Sequence, residues 1–308
     1  MGLFNEKFRK LRNRLSKKIQ KLKHTKQINR NIYIMRQIIV NMYNDNLKND
    51  ERFQDPKRLI KYGRKMFSQN EEDGIIKEIF NRIGTTNKTF VEFGIGDGLE
   101  NNTLALLLDG WKGLWMDGSS RSINNINDHF KSVLNNGQLT AIDVYVTKEN
   151  INTLISSNIK ENEIDLLSID IDGNDATIFN EISVIKPRVV VIEYTAKFFP
   201  PVLFSVDYDA NHIWQGDDYV GASLKYLENC FTEKGYKLVG CDLLGANAFF
   251  VRDDLVENKF KAPYTAEEHY EPARHHLVGN ISGHATTYQS IAKILASCVK
   301  LNSENKKN

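Results

Sequence analysis

Val91-Glu92-Phe93-Gly94-Ile95-Gly96-Asp97-Gly98 decides how this 308-residue chain is read. Just upstream, Thr89-Phe90-Val91-Glu92-Phe93 has the β-branched and aromatic composition of a strand buried in a parallel sheet. Glycine then falls at every second position: Gly94, Gly96 and Gly98. Downstream, Asn101-Asn102-Thr103 offers helix-capping side chains, and Leu104-Ala105-Leu106-Leu107-Leu108 supplies an apolar helix body. Strand, glycine turn and helix form the unit with which an α/β sheet cradles an adenosine-bearing cofactor. Glycines let the backbone approach the ligand closely and take dihedrals that side chains forbid.

A dinucleotide site wants Gly-x-Gly-x-x-Gly, with its third glycine where helix meets strand. Here Leu99 stands at that place and the extra glycine is Gly98. The pattern Glu-x-Gly-x-Gly-x-Gly resembles instead the first motif of class I S-adenosylmethionine methyltransferases. That resemblance implies that Glu92, at the strand end, sits near the methionine end of the cofactor.

The chain then alternates. Leu114 to Asp117 reads as a second strand ending in an acid, 25 residues after Glu92. A carboxylate there can accept both hydrogen bonds of a vicinal diol, so Asp117 is expected on the ribose. Ser120 to Leu134 reads as one helix, Thr140 to Val146 as a third strand, and Asp143 as a contact to the adenine amino group. Ile164 to Ile171 and Arg188 to Tyr194 read as the fourth and fifth strands, followed by a polar and aromatic insertion over 195–220. Gly221 to Lys234 is a helix; Tyr236 to Cys241 and Ala248 to Arg252 form a closing hairpin. Upstream of the glycines, Ser68 to Glu71 fits a capping box, and Pro56 is a helix start. The expected fold is α/β: a doubly wound, mostly parallel, seven-stranded, Rossmann-like sheet with an N-terminal helical extension. The expected divisions are an extension over 1–60, a catalytic domain over 61–255 and a C-terminal helical and loop extension over 256–308.

Composition adds an asymmetry. Residues 1–30 hold 11 Lys and Arg against one acid, leaving 30 bases and 38 acids for the rest. The basic character belongs to the tail, so the body is not built to hold nucleic acid. In the tail Phe4, Phe8, Leu11, Leu15, Ile19 and Leu22 recur at helical spacing between the cations. Such a helix can lie on an anionic membrane surface, dock on a partner protein, or pack its apolar stripe on the same chain or a second subunit. Ile32, Met35, Ile38, Ile39 and Met42 form a second patch, too short to span a bilayer and expected to pack. Asn44 to Asp55 reads as a polar linker. The tail has no contiguous apolar run of a signal peptide, and Cys230, Cys241 and Cys298 show no metal or redox spacing. The expected location is cytoplasmic, with peripheral contact to membrane through the tail.

Phe67 to Gly74, the glycine turn, Ser168-Ile169-Asp170-Ile171-Asp172-Gly173-Asn174-Asp175, Val191-Ile192-Glu193-Tyr194 and Asn247 to Arg252 together resemble the FkbM-like methyltransferases over roughly residues 65–255. The resemblance implies S-adenosylmethionine-dependent O-methylation of a sugar hydroxyl in a surface or lipid-linked glycan. It also implies that Gln69, Glu92, Gly94, Gly96, Asn102, Asp117 and Asp170 line the cofactor.

Two ways of activating a hydroxyl are open. Asp172 or His212 takes the proton directly, with Asp170 beside them. Alternatively Asp170, Asp172 and Glu193 hold a divalent ion; oxygen-only ligands suit Mg²⁺, Mn²⁺ or Ca²⁺. Glu193 and Tyr194 at the fifth strand end, with Tyr208, His212 and Trp214 in the insertion, are expected to contact the acceptor, because rings stack on sugar faces and carboxylates bond hydroxyls. His269, His275, His276 and His284 match no zinc spacing and are expected to cover the crevice or line a subunit contact; Tyr288 to Leu301 is an amphipathic helix. An RNA methyltransferase and a non-catalytic cofactor-binding subunit are the alternatives.

Overall fold

The computed structural model describes residues 2–274, 277 and 287–305. It divides into two compact units, one holding the first 47 residues and the other beginning at Lys48.

The first unit is the body of a single helix, α1 (Gly2–Lys48), which runs through both expected N-terminal segments and the start of the expected linker. No proline or glycine interrupts it after Gly2, so nothing in the backbone ends it early. Of the tail stripe, the side chains of Phe4, Phe8, Leu11, Leu15 and Ile19 lie outside the described residues, and Leu22 is exposed. Ile32, Met35, Ile38, Ile39 and Met42, expected to pack, are exposed as well. Among the described residues no helix is long and apolar enough to cross a membrane.

The second unit is built on seven strands: β1 (Thr89–Phe93), β2 (Lys112–Asp117), β3 (Leu139–Asp143), β4 (Glu163–Ile169), β5 (Lys186–Glu193), β6 (Tyr236–Cys241) and β7 (Asn247–Arg252). Their order is β3-β2-β1-β4-β5-β7-β6, with only the β5–β7 and β6–β7 pairings antiparallel. This is the expected doubly wound sheet. Alternation along each strand sends side chains to two cores. Phe90, Trp115, Leu166, Val189 and Val191 join the face covered by α2 (Glu72–Ile83), α3 (Leu104–Leu108) and α4 (Ser120–His129). Val91, Leu114, Leu167 and Val190 join the other, covered by α6 (Ile151–Asn158), α7 (Asp175–Glu181) and α8 (Leu224–Glu233).

The remaining helices are α5 (Lys131–Asn135), α9 (Asp253–Val256), α10 (Ala266–His269) and α11 (Tyr288–Asn305). The last inserts Ile291 and Leu295 into the first core, as its amphipathic pattern requires. Several boundaries differ from the sequence reading. Ser120 to Leu134 is two helices, because the chain breaks at Phe130 to bury that ring completely. Pro56 opens no helix; short 3-10 turns at Glu51–Phe53 and Ile60–Tyr62 flank it instead. The capping box closes on Asp73 and not on Glu71: Ser68 Oγ accepts from the Asp73 N–H at 3.2 Å, and Asp73 Oδ2 accepts from the Ser68 N–H at 2.8 Å.

Candidate active site

Strand order reverses between β1 and β4: one branch of the sheet runs to β2 and β3, the other to β5 and the hairpin. Ligands of open α/β sheets bind beyond the carboxyl ends of the strands at such a point. A cleft of about 780 Å³ lies there, walled by the glycine turn, the ends of β2, β4 and β5, and the insertion after β5.

The glycine turn has two working positions. Gly94 has φ +78°, and a Cβ there would fall 1.4 Å from the Asp170 carbonyl oxygen, so only glycine lets the exits of β1 and β4 cross. Gly96 has φ +56° with no atom within 4 Å of where a Cβ would stand, so its open side faces room for a ligand. The Gly96 N–H donates to Asp117 Oδ2 at 2.8 Å, and the Ser119 N–H donates to Asp117 Oδ1 at 2.8 Å. Those two bonds aim the carboxylate and leave it lone pairs for a diol.

Glu92 is 3% exposed and accepts from the Asn102 N–H at 2.9 Å, the Thr103 N–H at 3.1 Å and the Thr103 hydroxyl. Burial pushes its carboxyl up to about 7, against the pull of those donors. Glu92 thus holds the start of α3 from behind as well as lining the cleft. Capping of α3 falls to Asn101, whose Oδ1 accepts from Thr103 N–H at 3.2 Å and Leu104 N–H at 2.8 Å. The Asn101 Nδ2 is buried on the cleft wall with no partner. Gln69, Asn102 and Asp117 line the cleft. Asp143 does not: β3 ends at that residue with its side chain exposed, and Val144, Tyr145 and Val146 turn to the cleft in its place.

On the acceptor side, carboxylate oxygens of Asp170, Asp172 and Glu193 lie within 4.8 Å of one another. No described residue donates a hydrogen bond to any of the three. Burial, then the charges of Asp175 and Asp172, hold the Asp170 carboxyl well above its ordinary range. Burial, then Asp170, does the same to Glu193. Asp172 is raised by burial and pulled back by His212. Its backbone is left-handed, φ +57°, a conformation that Asp tolerates better than most residues. Asp175 fixes this turn, accepting from the Ile171 and Gly173 N–H groups at 2.9 Å each.

His212 comes from the insertion and packs on Gly173, where a Cβ would meet its Cδ2 at 2.2 Å. Its Nε2 lies 3.2 Å from the Asp172 carbonyl oxygen. Asn174 Nδ2 donates to the Asp209 carbonyl at 2.8 Å, and the Tyr145 hydroxyl donates to the His212 carbonyl, so the insertion is tied to the cleft on two sides. Trp214 lines the mouth and is 48% exposed. Two expected acceptor contacts point elsewhere. Tyr194 is buried, its hydroxyl donating to the Glu271 carbonyl at 2.6 Å. The Tyr208 hydroxyl donates to Glu149 Oε2 at 2.6 Å, outside the cleft. His275, His276 and His284 lie outside the described residues; His269 is buried in α10 and lines no part of the cleft.

Asn101 caps α3 as its sequence position suggests, but the sequence assigned no site role to its Nδ2, to Tyr145 or to Asn247. Asn247 had one signal: as the first residue of the last strand, it pairs with Glu193 across β5 and β7.

Among solved structures, the chain is similar to the METTL16 MTase domain (12% identity over 39% of this chain and 49% of that one, TM-score 0.32). It is also similar to the methyltransferase domain of bacterial CtHen1-C (12% identity, 60% and 97%, TM-score 0.39). A third is M. capricolum TrmK in complex with S-adenosylhomocysteine (12% identity, 61% and 70%, TM-score 0.34). The chain spans about half of the METTL16 domain's length. No curated protein matches it. The methyltransferase FkbM domain model matches residues 68–238, which hold the glycine turn, the Asp170–Asp175 turn and the insertion. With that match over more than half its length, on this strand order, the chain belongs to the FkbM family of S-adenosylmethionine-dependent methyltransferases.

Proposed function

We propose that this methyltransferase acts on a hydroxyl group of a sugar within a glycan. The observation that carries the reading is the charge of the cleft. Glu92, Asp97, Glu100, Asp117, Asp170, Asp172 and Glu193 line it, and no Lys or Arg does so among the described residues. Carboxylates accept hydrogen bonds from neutral hydroxyls and repel phosphodiesters. The same charge pattern disfavours RNA, whose binding rests on cations that neutralise phosphates.

The pocket fits the cofactor. The open side of Gly96 admits close approach, Asp117 is aimed for a ribose diol, and the unpartnered Asn101 Nδ2 suits a carboxylate of the amino-acid end. When bound, S-adenosylmethionine would supply an electrophilic methyl group that the acceptor oxygen would take from sulfur, the sulfur keeping the bonding pair and the hydroxyl losing its proton. His212 is the proton acceptor in this reading, held over the Asp172–Gly173 turn by packing and by Tyr145. Trp214 offers a ring face to the sugar.

The test is transfer of labelled methyl to a panel of saccharides and, in parallel, to RNA. Label in a sugar hydroxyl is expected; label in RNA alone overturns the reading. Replacing His212 with Ala should lower turnover by about 10²–10⁴-fold while S-adenosylhomocysteine still binds.

A further inference from the structure

The geometry points to a divalent-cation site in the floor of the cleft, formed by Asp170, Asp172 and Glu193 together with the amide oxygen of Asn247. Two independent observations support it. The first is the carboxylate group itself, three oxygens within 4.8 Å with no hydrogen-bond donor turned to any of them among the described residues. Oxygens sharing one ion lie at most about twice the metal–oxygen distance apart, which is about 4.2 Å for Mg²⁺ and about 5 Å for Ca²⁺. The three are within the span that one Ca²⁺ can bridge, and side-chain rotation would bring them to the shorter distances of Mg²⁺ or Mn²⁺.

The second observation is Asn247. It stands opposite Glu193 in the β5–β7 pairing, is 3% exposed and lines the same cleft. Its Nδ2 donates to Glu72 Oε1 at 2.8 Å, which fixes which end of the amide is oxygen. Glu72 is held in turn by the Asn70 N–H at 2.8 Å and the Asn70 Nδ2 at 3.0 Å. The Asn247 Oδ1 is left buried with no partner. A buried amide oxygen without a donor is costly unless something positive meets it. Beside Glu193, a cation would answer both the amide oxygen and the neighbouring carboxylates.

Three carboxylates and one amide oxygen make an all-oxygen set, which selects hard cations over zinc or copper. Four protein ligands leave positions of an octahedron open. Two adjacent sugar hydroxyls can fill them, so the acceptor class is a saccharide with a vicinal diol. Coordination would acidify the hydroxyl to be methylated, whose proton then passes to His212. The site stands without the acceptor reading; only this role in hydroxyl activation rests on it.

The experiment is a Mn²⁺ titration of the full chain, freed of metal by chelator, followed by electron paramagnetic resonance. Mg²⁺ and Ca²⁺ serve as competitors, and S-adenosylhomocysteine binding is measured on the same samples. One saturable Mn²⁺ per chain is expected, displaced by Ca²⁺ or Mg²⁺. Asp172→Asn and Asn247→Ala should each weaken it at least about tenfold while the nucleoside still binds. The two variants guard against one of them failing to fold. No saturable Mn²⁺ in protein that binds S-adenosylhomocysteine overturns the site and leaves the methyltransferase intact. Mn²⁺ bound equally by both folded variants overturns it too, as binding elsewhere.

Discussion

Asp165 and Asp170 lie five residues apart, the first in the opening half of β4 and the second just past its end, and the protein treats them in opposite ways. Asp165 is wholly buried and fully answered. The N–H groups of Thr86, Asn87 and Lys88 donate to it at 2.9, 3.0 and 2.7 Å, and Arg188 Nε lies 3.2 Å away. Asp170 accepts no hydrogen bond from a described residue and faces Asp172 and Glu193 instead. One end of the sheet compensates its charge internally; the other leaves charge for a ligand to compensate. Like charges held together without donors cost stability, and such groups persist where binding or chemistry uses them.

The sharpest way to break the comparison is to remove each acid in turn. Asp165→Ala removes the nearer carboxylate of Arg188, which keeps only the Ile83 and Gly84 carbonyls and the more distant Glu163, and strands three buried backbone donors; it should lower unfolding stability by about 3–5 kcal/mol. Asp170→Asn, in chelator, relieves repulsion and should leave stability unchanged or raised, while methyl transfer collapses. Chemical denaturation of both variants reads the difference. Equal destabilisation would mean that the two ends are not organised differently after all.

Much of this contrast was legible in the sequence. The glycine turn, the strand alternation and the acids at the ends of β4 and β5 are local patterns, and each follows from composition and spacing. Asp170, Asp172 and Glu193 could be grouped because neighbouring parallel strands end at one crevice. Asp143 and Tyr194 misled for one reason. A strand end or an alternating strand fixes which residues are near the crevice but not where the chain turns, and β3 stops at Asp143 three residues before the expected end. Tyr194 follows the last residue of β5 and turns inward, where its hydroxyl finds the Glu271 carbonyl. Asn101 was legible as a cap because that contact is local, whereas the placements of Tyr145 and Asn247 were missed because they depend on contacts between distant segments. The Asn247 amide is set by Glu72, 175 residues away.

His269 sharpens the comparison from the basic side. It is 4% exposed, and burial, then the charge of Arg58, push its pKa down to about 4. Here charge is neither compensated nor left for a ligand; it is removed by deprotonation. The folded state stays neutral down to about pH 4, while the unfolded chain takes up a proton below about 6.5. Stability is therefore fully present above pH 6.5 and is lost as pH falls from about 6.5 to about 4, by on the order of 3 kcal/mol. Comparing unfolding of the wild type and His269→Gln across that window isolates the effect. The variant should be flatter by that amount, and parallel curves would show that His269 is protonated in the fold.

The smallest stability effect belongs to the glycine turn, where a ligand-facing position can be separated from a structural one. Gly96→Ala meets no atom in the protein but keeps a left-handed backbone, φ +56°. It should cost only about 1 kcal/mol of stability. Its methyl group, however, projects into the open side of the cleft, so S-adenosylhomocysteine should bind at least about tenfold more weakly, a loss of about 1.4 kcal/mol in affinity. Gly94→Ala differs because its methyl group would fall 1.4 Å from the Asp170 carbonyl oxygen. That contact cannot be kept, so the fold must shift before any ligand arrives. Thermal unfolding with and without S-adenosylhomocysteine distinguishes the pair: the Gly96 variant should melt near the wild type and lose the ligand-induced shift. Retention of that shift would mean the room beside Gly96 is not where the cofactor lies.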